Sequence, residues 1–432
     1  MPATNSHDYD FAVLGGGPAG GAAAIRLAAL GHRVVLIERD RFPRFHIGES
    51  LLATANQALD RLGLAERVRA AGFPEKWGAK LETHDGRLGR PVDFAASPEV
   101  AQPQTWQVGR ERFDQIVLER AREAGVDVRE GSRVTGVDFD ADGATVRRAD
   151  AAGGERVRAV VDATGRAGLL ARQLGLREDE PKLANVAIYG HYSGLPPAPG
   201  RSGGDIVIVT RRDAGWFWLI PIDARLTSVG LVLPRALYDR LAKGDPTQML
   251  ERAIAETPAV AERMREARLE WPVRVEKDYS YRAKRYAGDR WLLAGDSGSF
   301  LDPVFSSGVS IALESGIEAA EALDRAARRD DFSAAALARF DRIQRRRFAV
   351  FRRFVHGFYT PEFRDLFFQP GPPPALFRAV VTVLAGVWRP RRRTRLLIEG
   401  FFLFVRLQRR FRLVERIARR DPAAGFPKES AA

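Results

Sequence analysis

A chain of 432 residues, 45% of them apolar, is too long for one ordinary core and well supplied for burial, so two or three domains are expected and disorder is not. It holds no cysteine, which excludes disulfides, thiolate metal sites and a thiol nucleophile, and suits a reducing cytoplasm. The net charge of +13 rests on sixty-one arginines against seven lysines, a bias that GC-rich coding explains; with no aromatic-basic module it does not point to nucleic acid, though it can steer an acidic protein partner.

Met1 to Tyr9 is polar and does not read as a signal peptide. Tyr9-Asp10-Phe11-Ala12-Val13-Leu14 is an apolar strand that feeds Gly15-Gly16-Gly17-Pro18-Ala19-Gly20. Gly21 to Leu30 reads as an alanine-rich helix closed by Gly31, and Arg33 to Ile37 as a second strand ending at Glu38 and Arg39. Strand, glycine turn, helix and strand in this order are the context of a dinucleotide fingerprint. Gly15 permits the tight turn, Gly17 lets a pyrophosphate approach the backbone, and Gly20 lets helix and strand pack closely. Pro18 and Ala19, within the glycine run, are further cofactor-binding candidates, and the helix N-terminus offers partial positive charge to phosphate. Glu38, about 20 residues on, is placed to accept from a ribose hydroxyl.

Phe42 to Ser50 follows, with His46 a candidate acid or base and Ser50 a candidate N-cap for a helix from Leu51. Arg112-Phe113-Asp114 opens a helix through Glu123. Val160-Val161-Asp162-Ala163-Thr164-Gly165 is a buried strand running into a tight turn, and Trp291-Leu292-Leu293-Ala294-Gly295-Asp296 repeats the pattern. Leu183 to about Val275 is β-rich, with strands at Val186–Tyr192, Asp205–Thr210, Trp216–Ile220 and Ser228–Leu233, and a helical stretch at Pro246–Glu270. A helix is expected over Ile311–Ala327. From Asp331 the chain turns helical and dense in Arg and Phe, at Phe340–Phe358 and Arg395–Ile417, divided by a break at Pro370–Pro374. The longest apolar stretch, Ala379–Trp388, is too short to span a membrane, and no metal site is expected. These last helices read as a cap over a substrate domain, with a membrane surface or an acidic carrier domain as the other uses.

Trp216-Phe217-Trp218-Leu219-Ile220-Pro221, behind that N-terminal fingerprint, resembles the flavin-dependent halogenases, and the likeness runs through nearly the whole chain. The resemblance implies an α/β plus helical fold: a Rossmann-type, para-hydroxybenzoate hydroxylase-like FAD-binding domain, a β-rich substrate domain and a helical C-terminal region. The expected boundaries are residues 1–180 with 276–330, then 181–275, then 331–432. By the same resemblance Asp162, Thr164 and Gly165 belong to an Ala-Thr-Gly cofactor motif, Asp296 holds the ribityl chain, and Arg112 and Ser50 lie near the flavin. Lys76, in Gly72-Phe73-Pro74-Glu75-Lys76-Trp77-Gly78-Ala79-Lys80, matches the family's active-site lysine, with Lys80 as its understudy. Pro303, Gly308 and Val309 pass the flavin ring, and the amides of Ser307 and Gly308 are the halide candidates. Trp216 and Trp218 are expected as gatekeepers between flavin and substrate.

The implied reagents are FAD as FADH2, molecular oxygen, and chloride or bromide. The implied partners are a flavin reductase and a substrate that is free or held on a carrier protein. Tryptophan halogenases carry a glutamate where this chain has Phe305, so the likeness is to the branch acting on phenolic, pyrrolic or activated acyl substrates. A flavin hydroxylase or a reductase resembling the geranylgeranyl reductases shares the scaffold and is the rival reading. A non-catalytic FAD-binding scaffold is the other.

Overall fold

The computed structural model describes residues 7–417 except 214, 242–244, 278–279 and 370–372. Its first layer is a sheet with a parallel centre, in the order Trp291–Leu293, Gly154–Asp162, Tyr9–Leu14, Val34–Ile37 and Asp127–Arg129. The strand Tyr9–Leu14 has fully buried residues from Phe11 to Leu14, as a parallel strand covered on both faces requires. The helices Pro18–Ala29, Arg110–Glu123 and Gly308–Ala327 pack on one face of it around a common apolar core. Three separate stretches of chain therefore build the cofactor layer.

The second layer is an antiparallel-rich sheet containing Asn185–Ser193, Thr227–Pro234, Trp216–Pro221 and Ile206–Thr210 in that order. The four strands expected in this region are present to within a residue at each end. The sheet does not stop at residue 181, however. Ile206–Thr210 pairs in parallel with Gly78–Glu82, which pairs with Gly89–Asp93. Residues 78–93 thus belong to the substrate sheet and not to the cofactor layer, because Leu81 and Val92 alternate into its core. The helical stretch 246–270 divides into Pro246–Ala255 and Pro258–Arg263, broken where Pro258 restarts the chain behind Thr257.

The C-terminal region is a set of helices, Ala334–Phe358, Pro361–Phe368, Pro374–Leu384 and Arg392–Phe411. Phe354, Phe358, Phe363, Phe401 and Phe402 interlock edge to face and seal these helices onto the substrate sheet through Trp216. Part of the expected break at Pro370–Pro374 lies outside the described residues. Among the described residues, no helix is long and apolar enough to cross a membrane.

Candidate active site

One cavity of about 880 Å³ runs between the two sheets, near the top of the roughly 300–1,000 Å³ usual for cofactor sites. At one end lies the glycine turn. Gly15 has φ +101°, and a Cβ there would come 2.4 Å from the Ala163 carbonyl oxygen. A Cβ on Gly20 would meet the Gly15 carbonyl at 1.8 Å, so Gly20 serves helix–strand packing and does not face the cavity. Gly17, Pro18 and Ala19 do line it, at the N-terminus of Pro18–Ala29. The Glu38 carboxylate accepts the Gly16 N–H at 2.6 Å and the Asp40 N–H at 2.8 Å, and Arg39 lies beside it on the wall. Thr164, Gly165 and Asp296 continue the lining. Burial raises the Asp296 carboxyl to about 6, against the pull of Arg166 and Arg110.

Besides Gly20, two further expected cofactor residues fall elsewhere. Asp162 is fully buried, with its oxygens accepting from the Thr164 N–H and hydroxyl (2.9 and 2.7 Å) and the Leu170 N–H (2.7 Å). It shapes the turn and does not line the cavity. Arg112 points to solvent and pairs loosely with Glu119, at 3.9 Å. The inward residue is Arg110, two positions earlier, because 100° per residue places 110 and 114 together and 112 on the opposite side. Arg110 grips Asp114 through two 2.8 Å bonds and donates to the Ile47 carbonyl at 2.8 Å, while Arg44 reaches Asp114 at 3.2 Å. Arg44 and Arg110, both on the cavity wall, were missed in the sequence. The i,i+4 Arg–Asp spacing was the only signal for them.

The residues fit FAD. An open backbone cradle at a helix N-terminus, an acid at the ribose position, two guanidiniums and a continuous groove to Gly308 meet its phosphates, sugar and ring in that order.

At the other end, Asp302 to Gly308 forms a short turn, with Ser306 at φ +54°, that leads into the helix Gly308–Ala327. Ser307 caps this helix without a side-chain bond, and a Cβ on Gly308 would meet nothing within 4 Å. The amides at the helix start are therefore open to the cavity, which Pro303, Ser307, Gly308 and Val309 all line. Opposite stand Trp216 and Trp218, ring centroids 5.9 Å apart. Trp218 donates to the Ser228 hydroxyl at 3.1 Å. Trp216 donates at 2.8 Å to the Tyr359 hydroxyl, which donates at 2.7 Å to Asp302; Asn185 also donates to that carboxylate, at 2.9 Å. This network ties the tryptophan strand to the turn bearing Ser307, through a residue of the C-terminal helices.

Lys76 is 1% exposed and lies one hydrogen bond behind the cavity wall. Its Nζ donates to the Ser50 Oγ and the Leu51 carbonyl, both at 2.8 Å, and Ser50 lines the cavity. Burial lowers the Lys76 ammonium to about 7, partly offset by Asp205. Lys80 instead points outward, half exposed and paired with Glu82, because it lies on a separate strand, Gly78–Glu82, from Lys76 on Glu75–Lys76. Ser50 caps no helix; the next one begins at Ala55 behind Thr54. His46 lines the cavity, but burial and the neighbouring Arg110 lower it to about 3, so it stays neutral and supplies no acid near neutral pH. Glu49, unforeseen, lines the cavity and meets His191 at 2.8 Å.

Residues 10–91 and 81–368 match the family profile described as tryptophan halogenase. The chain belongs to this family of flavin-dependent halogenases. It is 37% identical over 327 residues to the 1H-pyrrole-2-carbonyl-[peptidyl-carrier protein] brominase of Pseudoalteromonas luteoviolacea, covering 74% of this chain and 78% of that protein. It is 31% identical to the corresponding chlorinase of Pseudomonas fluorescens, over 82% and 84% of the two chains. Its fold superposes on the myxobacterial chondrochloren halogenase CndH with a TM-score of 0.77 at 31% identity, covering 92% of this chain and 97% of that one. The Rossmann-type FAD fold and the halogenase chemistry with FAD and halide hold, ahead of the hydroxylase and reductase alternatives.

Proposed function

We propose that this halogenase is a two-component enzyme that halogenates an electron-rich aromatic or acyl substrate of the pyrrolic and phenolic kind, free or carrier-tethered, using FADH2 delivered by a separate flavin reductase. The observation that carries this reading is the meeting, on one cavity, of an open helix N-terminus at Gly308, the Trp216–Trp218 wall and Ser50 backed by Lys76. Reduced FAD bound there would supply two electrons and two protons which, with one further proton from solvent, convert dioxygen and halide into hypohalous acid and water. The Ser307 and Gly308 amides hold the halide, favoured by the helix dipole. Trp216 and Trp218 keep the substrate off the flavin, exclude water and leave passage only to a small oxidant.

Lys76 acts with Ser50 at the substrate end. A neutral amine has two N–H groups and one lone pair. With both N–H groups engaged, on Ser50 and Leu51, the lone pair is what remains to receive electrophilic halogen. The charged form instead has a third N–H to orient hypohalous acid. Burial brings both forms within reach of neutral pH.

Rapid mixing of the FADH2-loaded protein with oxygen, with and without bromide, tests the reading. Bromide must accelerate return of the oxidised flavin spectrum and must appear in a supplied phenol or pyrrole by mass spectrometry. Reoxidation indifferent to bromide, with no brominated product, rejects it.

A further inference from the structure

A second, smaller cleft of about 340 Å³ lies beside the main cavity, and Tyr286 and Phe348 line both, forming the wall between them. Arg282, Arg345, Arg352 and Arg353 line the cleft. Each guanidinium is braced by a carboxylate: Glu178, Asp341, Glu180 and Glu399 respectively. The bracing leaves donors over. Arg352 spends Nε and Nη2 on Glu180, and Arg345 spends Nε on Asp341 and Nη2 on the Lys284 carbonyl. Among the described residues, their Nη1 groups have no partner. Paired forks held from behind are the arrangement that receives a phosphodiester.

Arg353 carries the feature outward, because its partner Glu399 sits on the helix Arg392–Phe411. The inner face of this helix, with Ile398, Phe401 and Phe402, is buried. Its outer face bears Leu396 (71% exposed) and Leu403 (51%), two turns apart, with Phe411 (62%) beyond. Arg392, Arg395, Arg406 and Arg410 flank these and are exposed; Arg395 and Arg406 share the single carboxylate of Glu399 with Arg353, so positive charge remains in excess along this face. A membrane-bound helix needs a wide continuous apolar stripe. Here that stripe is spent on the core, and the outer face alternates single apolar side chains with arginines, the composition of a protein interface.

We infer that the outer face of Arg392–Phe411 docks an acidic carrier domain, and that the arginine cleft receives the phosphodiester of its prosthetic arm, which passes the Tyr286–Phe348 wall into the main cavity. This rests on the halogenase reading and narrows its substrate to the tethered class. Charge complementarity supplies the occupant: an excess of arginines among single exposed apolar side chains on Arg392–Phe411, leading to a cleft at the cavity wall where Arg345 and Arg352 keep Nη1 donors in hand.

The test compares the whole enzyme with R395E/R406E and with R345Q/R352Q, using two pyrrole-2-carbonyl probes: an acidic peptidyl-carrier domain charged with it, and the bare phosphopantetheine thioester. R395E/R406E raises the half-saturating concentration of the charged carrier about tenfold or more and flattens its salt dependence, and leaves the bare thioester unchanged. R345Q/R352Q weakens both, but does not weaken a pantetheine thioester that lacks the phosphate. Bromide-accelerated flavin reoxidation stays at the wild-type rate in every variant, which separates this inference from the halogenase reading. Unchanged carrier kinetics in R395E/R406E overturn the docking face, and so does sedimentation of the wild type with anionic phosphatidylglycerol vesicles in place of carrier binding. Equal loss for phosphorylated and unphosphorylated thioesters overturns the cleft.

Discussion

At the scale of single residues, the fully buried Lys76 dominates, and its environment has consequences in two assays. Lys76→Ala is expected to lower halogenated product by about 100-fold or more, the size of effect seen when one positioned electrostatic group is lost. FAD affinity is expected to stay as it is, since Lys76 lies away from the dinucleotide groove; a parallel loss of FAD binding would refute the assignment. The second assay is stability against pH. The folded state holds Lys76 near 7 and the unfolded chain near 10.5, so between these values the unfolded chain binds more protons. Stability relative to Lys76→Met must therefore rise with pH from about 7 to 10, and the penalty for the charged form is complete below 7. At about 1.4 kcal/mol per unit, the full swing is of the order of a few kcal/mol. Thermal melts of both proteins across that range check it. Tyr359→Phe makes a third case. It strips one hydroxyl from both the Trp216 Nε1–H and the Asp302 carboxylate, leaving buried groups short of a partner at a cost of about 1–3 kcal/mol. Asp302, already raised to about 6 by burial, is expected to rise further, so half-saturation by bromide should change while FAD affinity does not.

Between elements, the decisive fit is strand Tyr9–Leu14 against helix Pro18–Ala29. A Cβ at Gly20 would overlap the Gly15 carbonyl, a backbone atom with nowhere to go. Gly20→Ala is expected to destabilise the fold by roughly 1–3 kcal/mol or more and to weaken FAD binding at least as strongly, measured by melting temperature and flavin fluorescence. These elements were readable in the sequence because each carries a local period: the apolar run to Leu14, the glycine turn, the alternation around Trp216. The site was less readable wherever a role depends on which side of an element faces inward. Arg112 and Arg110 are two residues apart on one helix, and only packing against Ile47 and Asp114 decides that 110 faces the cavity. Asp162 carries a chemically suitable carboxylate, but the turn it closes takes up both its oxygens. Ser50 backed by Lys76 joins two segments that no motif connects, and Tyr359 lies more than 140 residues beyond the tryptophan it holds.

On the scale of the whole molecule, the cavity is walled by both sheets and by the helix Ala334–Phe358, so ligand binding and global stability are coupled. FAD at 100 times its dissociation constant is expected to add about 2.7 kcal/mol to the unfolding free energy, visible as a higher melting temperature. The misplaced boundary belongs to this scale too. Residues 78–93 look like part of the first domain in chain order, yet they extend the second sheet, because the partner strand Ile206–Thr210 appears only after more than 100 further residues.

The discontinuity of the cofactor layer also bears on how the chain is born. Strand Tyr9–Leu14 waits for Gly154–Asp162, which in turn waits for Trp291–Leu293 and the Asp296 turn that follows. On a ribosome the glycine cradle emerges first and its opposite wall almost 300 residues later. Nascent chains therefore spend most of synthesis with an exposed, half-built groove. FAD can act as a folding ligand only once the helix Gly308–Ala327 has left the exit tunnel.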